Sequence, residues 1–383
     1  HLISHTHWDR EWYLTYQQFR VRLVRAVDRL LALFEKDPDY HHFMLDGQAI
    51  VLEDYLQIRP EKADLIKSLV QSGRLVIGPW YVLADEFLVS PEALIRNLME
   101  GQRICREFGA FMPVGYVPDS FGQIGQLPQI LRGFGIESAC FWRGLADEAC
   151  ELWWQGPDGS RVLVAYLREG YNYAASLPTD QPAAFANEIK NLAQTLEKAS
   201  VSEQILLMHG TDHAEPATGT SACIDYTNQN QSTYQVLHST LPEYFQKVIE
   251  DLGESPNLPV VNGQLRACKR SPILPGMLST RMWIKQRNHD CENLLERWAE
   301  PYSIWARYAV PQDPLTTGYL RHHQQLIRQA WRLLLQCHPH DSICGTSIDQ
   351  VHEEMRPRFD QVQQISEEII GQSLNMLAGT ANT

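Results

Sequence analysis

Across its first two thirds the chain alternates short apolar runs with stretches of helical periodicity, the pattern of a mostly parallel sheet covered by helices. Strands are expected at His1–His5, His42–Leu45, Leu75–Ile77, Gly115–Val117, Ala139–Trp142, Arg161–Tyr166 and Ile205–Met208. After the first of these, Phe19, Leu23, Val27, Leu30, Leu31 and Phe34 recur at helical spacing and predict a helix over Gln17–Phe34. Ser90-Pro91-Glu92 reads as an N-cap followed by proline in the first turn. The turn residues Gly156-Pro157-Asp158-Gly159 divide Trp153–Ala165 into a hairpin. Thr218–Thr233, rich in Thr, Ser, Asn and Gln, is expected to be a loop. Beyond Pro275-Gly276 the strand signals fade: Met282–Tyr308, Gly318–Gln336 and Ser347–Met376 are long and helix-forming, with Pro311, Pro314 and the segment His338-Pro339-His340-Asp341 as breaks. The expected organisation is an α/β domain over residues 1–275 and a helical bundle over residues 276–383.

With 383 residues, 44% of them hydrophobic and 10% aromatic, the chain has ample material for a packed core. A net charge of −13 argues against a general phosphate-binding surface, so nucleic acid is excluded as a partner class. The eight cysteines, Cys105, Cys140, Cys150, Cys223, Cys268, Cys291, Cys337 and Cys344, form no CxxC pair and are expected to be reduced and mostly buried. No apolar run approaches a membrane span, and no signal-like segment is visible, which favours the cytoplasm. The start at His1, without methionine and already inside an apolar run, leaves an upstream signal open. A homo-oligomer is compatible with this composition.

Chemistry concentrates in four short motifs: HTHWD at His5–Asp9, PDSFG around Asp119, HGTDH around Asp212, and HPHD at His338–Asp341. If Ser4–Asp9 is extended, the side chains of His5, His7 and Asp9 point to one side, because strand residues alternate faces. Two imidazoles and a carboxylate suit zinc, whereas a polar strand end with backbone-bonded histidines would read the same way. In HPHD the proline stops a helix and exposes His340, which is either a ligand or a residue capping the next helix. Asp119 and Asp212 each follow a predicted strand, where open α/β sheets place their ligand crevice. Each could merely cap a helix; together they make the carboxylate pair that glycoside hydrolysis needs. Trp8, Trp12, Tyr13, Trp80, Tyr81, Phe121 and Trp142 cluster at the same strand ends, as core or as a platform for a sugar face. Asp46, Asp85 and Glu86 lie at equivalent positions and could bond hydroxyls or act as caps.

These motifs, with HTHWDREW, LDGQ at Leu45–Gln48, GPWY at Gly78–Tyr81, GYVPDSFG at Gly115–Gly122, FWRG at Phe141–Gly144 and PHDSICGT at Pro339–Thr346, resemble the family 38 glycoside hydrolases, the class II α-mannosidases, over nearly the whole chain. The likeness is strongest to the bacterial branch that includes mannosylglycerate hydrolases. It implies a retaining mannosidase with one Zn2+ per chain, ligated by His7, Asp9, Asp119 and His340. Asp119 then matches the nucleophile and Asp212 the general acid and base, a role requiring a raised pKa. Trp12, Phe121, Arg143, Asp341 and, by a looser local match, Tyr173 fall on residues that contact the sugar. His5 is not a ligand in that pattern and becomes a residue behind the ligands, which revises the spacing argument. The resemblance also implies a seven-stranded, mostly parallel, barrel-like α/β domain followed by a three-helix bundle, with β-rich domains beyond the end of this chain. Where eukaryotic members carry Asn-Asp-Pro-Gly, this chain has Trp8-Asp9-Arg10-Glu11.

Terminal α-mannosides are the implied substrates. A mannosylglycerate or its 6-phosphate is the narrower alternative, a zinc-dependent deacetylase-like hydrolase is another chemistry, and a carbohydrate-binding fragment without turnover is the third.

Overall fold

The computed structural model describes residues 1–231, 233–253, 257–309 and 314–381, so Pro311 and Ser232, in the predicted break and loop, lie outside the described residues. The chain divides into two units. The first comprises His1–Arg10, Tyr16–Leu83 and Leu98–Pro275; the second comprises Glu11–Thr15, Ala84–Asn97 and Gly276–Thr383.

The strands of the first unit are β1 (Leu2–Thr6), β2 (Phe43–Leu45), β3 (Leu75–Val76), β4 (Val114–Val117), β5 (Ser138–Phe141), β6 (Glu151–Gln155), β7 (Arg161–Tyr166), β8 (Leu207–His209) and β9 (Val260–Asn262). They form two sheets among the described residues, ordered β3-β2-β1-β8 and β4-β5-β7-β6-β9. All neighbours are parallel except β6 and β7, the expected hairpin, in which Gln155 faces Arg161 across the Gly-Pro-Asp-Gly turn. Where a seven-stranded barrel-like domain was expected, the described strands form two mostly parallel sheets, of four and five strands. Two local causes are visible. β3 is only two residues long, so its ladder ends early, and one backbone bond, from the Met112 amide to the Ile77 carbonyl at 2.8 Å, links the segments beside β3 and β4. The hairpin, in turn, adds β6, onto whose far edge β9 pairs.

Both sheets feed one core, in which Ile3, Met44, Tyr116, Cys140, Leu163 and Met208 are buried together. Each such side chain contributes roughly 1.5–3 kcal/mol by leaving water. Helices α1 (Tyr16–Lys36), α2 (Ile50–Leu56), α3 (Ala63–Gln71), α4 (Pro91–Phe108), α5 (Leu127–Gly133), α6 (Pro182–Glu197), α7 (Thr220–Asn230) and α8 (Leu241–Leu252) follow the strands. The Ser90 hydroxyl accepts the Ala93 amide at 3.0 Å and caps α4, which crosses the boundary between the units. α7 replaces the loop expected over Thr218–Thr233. Its polar surface hides a short buried face of Cys223, Ile224 and Thr227, and the Thr227 hydroxyl bonds back to the Cys223 carbonyl at 2.7 Å.

The second unit is helical, with α9 (Met282–Asn293), a π-helical turn (Leu294–Ala299), α10 (Glu300–Ala309), α11 (Pro314–Leu335), α12 (His340–Cys344) and α13 (Asp349–Ala381). α13 packs against α10 and α11, burying Val351, Met355, Phe359, Val362 and Ile369 along one stripe. All eight cysteines are unpaired, and all but Cys268 are buried. Among the described residues no helix is long and apolar enough to cross a membrane.

Candidate active site

In the first unit the candidate residues gather at the carboxyl ends of β1, β2, β4 and β8. β1 ends at Thr6, one residue before His7, so the condition that Ser4–Asp9 be extended throughout is not met. The chain continues as a single bridge between His7 and Asp212, with the His7 amide bonded to the Thr211 carbonyl at 3.1 Å and the His213 amide to the His7 carbonyl at 2.7 Å. A backbone ladder therefore seats the first histidine candidate beside the proposed acid.

His5 does not converge with His7 and Asp9. Its Nε2 lies 2.8 Å from the Tyr171 carbonyl, and burial pushes its pKa down to about 4, so the ring is neutral. His7 is held from the other side: Nδ1 is 3.0 Å from Asp46 Oδ1, while Nε2 faces Asp9 Oδ1 at 3.3 Å. Burial opposes a charge on this ring, yet the Asp46 and Asp9 carboxylates outweigh it and raise the pKa well above the ordinary histidine value. Asp46 is itself fixed, because its Oδ2 accepts the Trp8 amide at 2.6 Å and the Gln48 side-chain amide at 2.8 Å. The Asp-Gly turn of LDGQ makes this possible. Asp46 and Gly47 have φ of 52° and 64°, and a Cβ on Gly47 would sit 2.9 Å from the Tyr116 ring.

Asp119 follows β4 and is gripped by Arg143, whose Nε and Nη2 both donate to Oδ1, at 2.8 and 2.5 Å. The guanidinium is largely buried, bonds the Pro272 carbonyl at 2.5 Å, and lies 4.1 Å from the Trp142 ring centre and 5.1 Å from that of Phe121. Asp212 accepts the Tyr171 hydroxyl at 2.7 Å. Burial raises the Tyr171 pKa, and the charges of Asp119 and Asp212 raise it further, so the hydroxyl stays protonated and donates. The Tyr171 ring lies 5.0 Å from His7 and 5.6 Å from Trp142.

The donors of this unit suit a divalent cation. A ring nitrogen of His7 and a carboxylate oxygen of Asp119 lie within 4.8 Å of each other, and Asp9 stands beside the same ring. Asp46 on Nδ1 directs Nε2 toward the ligand role, the arrangement that orients metal-bound imidazoles generally. Two carboxylates and one imidazole, once the imidazole gives up its ligating proton to the ion, are a donor set that zinc accepts.

The second unit carries the HPHD residues. His340 opens α12 directly after Pro339, with Nε2 3.6 Å from Asp341 Oδ2, and both are buried. Asp341 is held by Thr346, whose hydroxyl donates to Oδ1 and whose amide donates to the Asp341 carbonyl at 3.1 Å. α12 is anchored through Glu11, which accepts the Ser342 hydroxyl at 2.9 Å and two bonds from Arg358, at 2.7 and 2.5 Å. His338 is fully buried, with Nε2 2.6 Å from Asn288 Oδ1. Trp12, half-buried, belongs to this unit, and its carbonyl accepts the Ile348 amide at 3.1 Å.

The sequence-derived candidates therefore sort unevenly. Within the first unit His7, Asp9, Asp119, Asp212, Phe121 and Arg143 surround the strand ends. Tyr173 does not join them: it packs, partly buried, against the core cluster that includes Leu2, Ala174 and Leu207, and Tyr171, two residues earlier, bonds Asp212. Asp46 proves to be a partner of His7, not a free hydroxyl binder, and Asp85 makes a turn by accepting the Phe87 amide at 3.0 Å. Tyr171 was discoverable only as a tyrosine following Gly170 after a strand, a weak signal.

Comparison with known proteins follows the same residues. The model of the glycosyl hydrolases family 38 N-terminal domain matches residues 1–264, and that of the alpha mannosidase middle domain matches residues 273–377. A Halalkalibacterium halodurans protein named "Putative mannosylglycerate hydrolase" is 38% identical over 400 residues, covering 100% of this chain and 43% of that protein. Human alpha-mannosidase 2C1 is 26% identical over 370 residues, covering 95% of this chain and 33% of the other. The crystal structure of an alpha-mannosidase from Enterococcus faecalis superposes with a TM-score of 0.90 at 34% identity, over 99% of this chain and 42% of that one. The chain thus spans less than half the length of these relatives.

Proposed function

From the premise that this chain belongs to glycosyl hydrolase family 38, we propose that it is the catalytic part of a metal-dependent, retaining α-mannosidase releasing terminal α-linked mannose. The observation that carries the reading is the pair of carboxylates held by opposite kinds of partner, Asp119 by the Arg143 guanidinium and Asp212 by a protonated Tyr171. The same tyrosine feels both charges.

In this reading Asp119 attacks the anomeric carbon while Arg143 fixes the orientation of its carboxylate. Asp212 protonates the departing glycosidic oxygen, then takes a proton from the water that releases mannose from the glycosyl-aspartate, so configuration is retained. Tyr171 keeps Asp212 in place through both proton transfers. His7, Asp9, Asp119 and His340 are the proposed ligands of a zinc ion, with Asp46 orienting His7; the case for His340 rests on the PHDSICGT motif. The ion, when bound, supplies Lewis-acid orientation of sugar hydroxyls and offsets developing charge. Trp12, Phe121 and Asp341 are the proposed sugar contacts, and the two parallel strand runs are taken as arcs of one barrel-like wall.

The test is to incubate the enzyme with a 2-deoxy-2-fluoro mannoside and map the adduct by mass spectrometry. A mannosyl ester on Asp119, absent in a folded Asp119→Asn variant that has lost turnover of an aryl α-mannoside, is the expected result. Near-normal rates in that variant would sink the assignment, and release of acetate from an acetylated sugar without any adduct would favour deacetylation. Within the mannosidase class, the name of the H. halodurans relative makes an α-mannoside of glycerate, with or without a 6-phosphate, the narrower substrate.

A further inference from the structure

A cavity of about 370 Å³ opens on the first unit, lined by Trp142, Asp147, Arg168, Glu169, Lys269 and Arg270. Its backbone frame comes from the segment after β9. The Gln123 and Leu265 residues form an antiparallel bridge, as do Gly144 and Ala267, which sets Lys269 and Arg270 alongside Asp147. Three cations face two carboxylates, so the lining carries one positive charge in excess on a chain whose net charge is −13. Lys269 donates to Asp147, Arg270 bonds Asp147 at 3.3 Å and Glu169 at 3.0 Å, and Arg168 donates to the Glu148 carbonyl.

These pairs are loosely held. Lys269 is 65% exposed and Asp147 49%, a setting in which an ion pair contributes little and exchanges partners readily. The lining also includes Trp142, the side chain that touches both holders of the reacting carboxylates. Arg143 lies 4.1 Å from its ring centre and Tyr171 meets it edge-on at 5.6 Å. The Trp142 wall of the cavity is therefore separated from Asp119 by Arg143 and from Asp212 by Tyr171, and the cavity's volume falls in the range of small-molecule subsites.

We propose that this cavity is the subsite for the leaving group, and that Lys269, Arg270 and Arg168 select aglycones bearing a carboxylate or phosphate. This rests on the mannosidase reading above and adds to it which residues choose the substrate. An anion entering beside Trp142 takes over bonds now made to Asp147 and Glu169, with Arg270 offering a planar fork for two oxygens.

The experiment measures kcat/KM of the full-length metal-loaded enzyme on three α-mannosides, those of glycerate, glycerol phosphate and glycerol. The wild type is expected to prefer the two anionic aglycones by on the order of tenfold, as charge-assisted hydrogen bonds of partly exposed groups allow. A preference for only one of the two identifies carboxylate or phosphate as the natural group. Preference should collapse in Lys269→Ala/Arg270→Ala, weaken with added salt, and return in Lys269→Arg/Arg270→Lys. Equal rates on all three, or a preference that survives the double substitution, overturns the inference while leaving the mannosidase reading intact. No hydrolysis of any of the three, nor of an aryl α-mannoside, overturns both.

Discussion

Replacing Arg358 by methionine removes the guanidinium that faces Glu11, and the cost follows from what is left behind. Glu11 is fully buried; Arg358 gives it two bonds and the Ser342 hydroxyl another. Burial disfavours the arginine's charge, but Glu11 overrides this and raises its pKa above the ordinary value, which marks the pair as mutually dependent. Removing one partner of a buried pair strands the other as an uncompensated charge, at about 3–5 kcal/mol. Glu11→Leu/Arg358→Met removes both charges and should recover much of that loss, retaining about 1–3 kcal/mol for the Ser342 hydroxyl and Gln336 carbonyl that lose partners. The assay is equilibrium unfolding in urea of wild type, both single variants and the double variant, with circular dichroism reporting the helical unit. A double variant at least as unstable as Arg358→Met alone would refute the reasoning, because the stranded charge would then not be the source of the loss. A single-variant loss under about 1 kcal/mol would refute it equally, by showing that the pair behaves as a surface bridge.

Tyr171→Phe deletes the 2.7 Å bond to Asp212 while keeping the ring, so kcat on an activated aryl α-mannoside should fall by about ten- to a hundredfold with KM little changed. A loss confined to KM would count against Tyr171 as the residue positioning the acid. Asp46→Asn should weaken metal affinity by about 10–100-fold, read by competition with a chromogenic chelator, since the carboxylate that orients His7 is gone. Glu292 has its pKa raised to about 7 by burial, against the amides and hydroxyl of its neighbours. A carboxyl raised in the fold stabilises while it is protonated, so this contribution is complete below the unfolded value and disappears as pH climbs through about 7. Roughly 3 kcal/mol is at stake, and Glu292→Gln should flatten the fall in stability between pH 5 and pH 8; an unchanged slope would show that Glu292 does not titrate there.

Much of the fold was legible because strand ends and turn chemistry are local. The hairpin around Gly156-Pro157-Asp158-Gly159 and the Ser90 cap depend on adjacent residues, and the structure has both. α7 was illegible for the opposite reason: its buried face is narrow and half polar, so periodicity does not register. β9 is three mostly exposed residues whose pairing with β6 is a tertiary event. At the site, His7, Asp9, Asp119 and Asp212 stood out because carboxylates and imidazoles follow strands in recognisable motifs. Their supporting partners did not. Tyr171 lies 41 residues before Asp212, and Asp46 lies 39 residues beyond His7, so no spacing rule connects them. The spacing argument that brought His5 together with His7 and Asp9 failed because β1 stops at Thr6, after which alternation of faces no longer applies.

Glu11 and Arg358 are 347 residues apart, and both belong to the helical unit. At translation rates of about 5–20 residues per second, that carboxylate is made some 20–70 s before its guanidinium exists. During that interval the carboxylate must stay hydrated, so the peptide from Glu11 to Thr15 has to remain undocked while the intervening chain is made. The closing entropy of so long a loop grows only logarithmically and is no obstacle. The consequence concerns the order of assembly: the helical unit cannot be completed as a separate late module, and a gene cut after Pro275 would yield an α/β fragment that carries an orphaned piece of its neighbour.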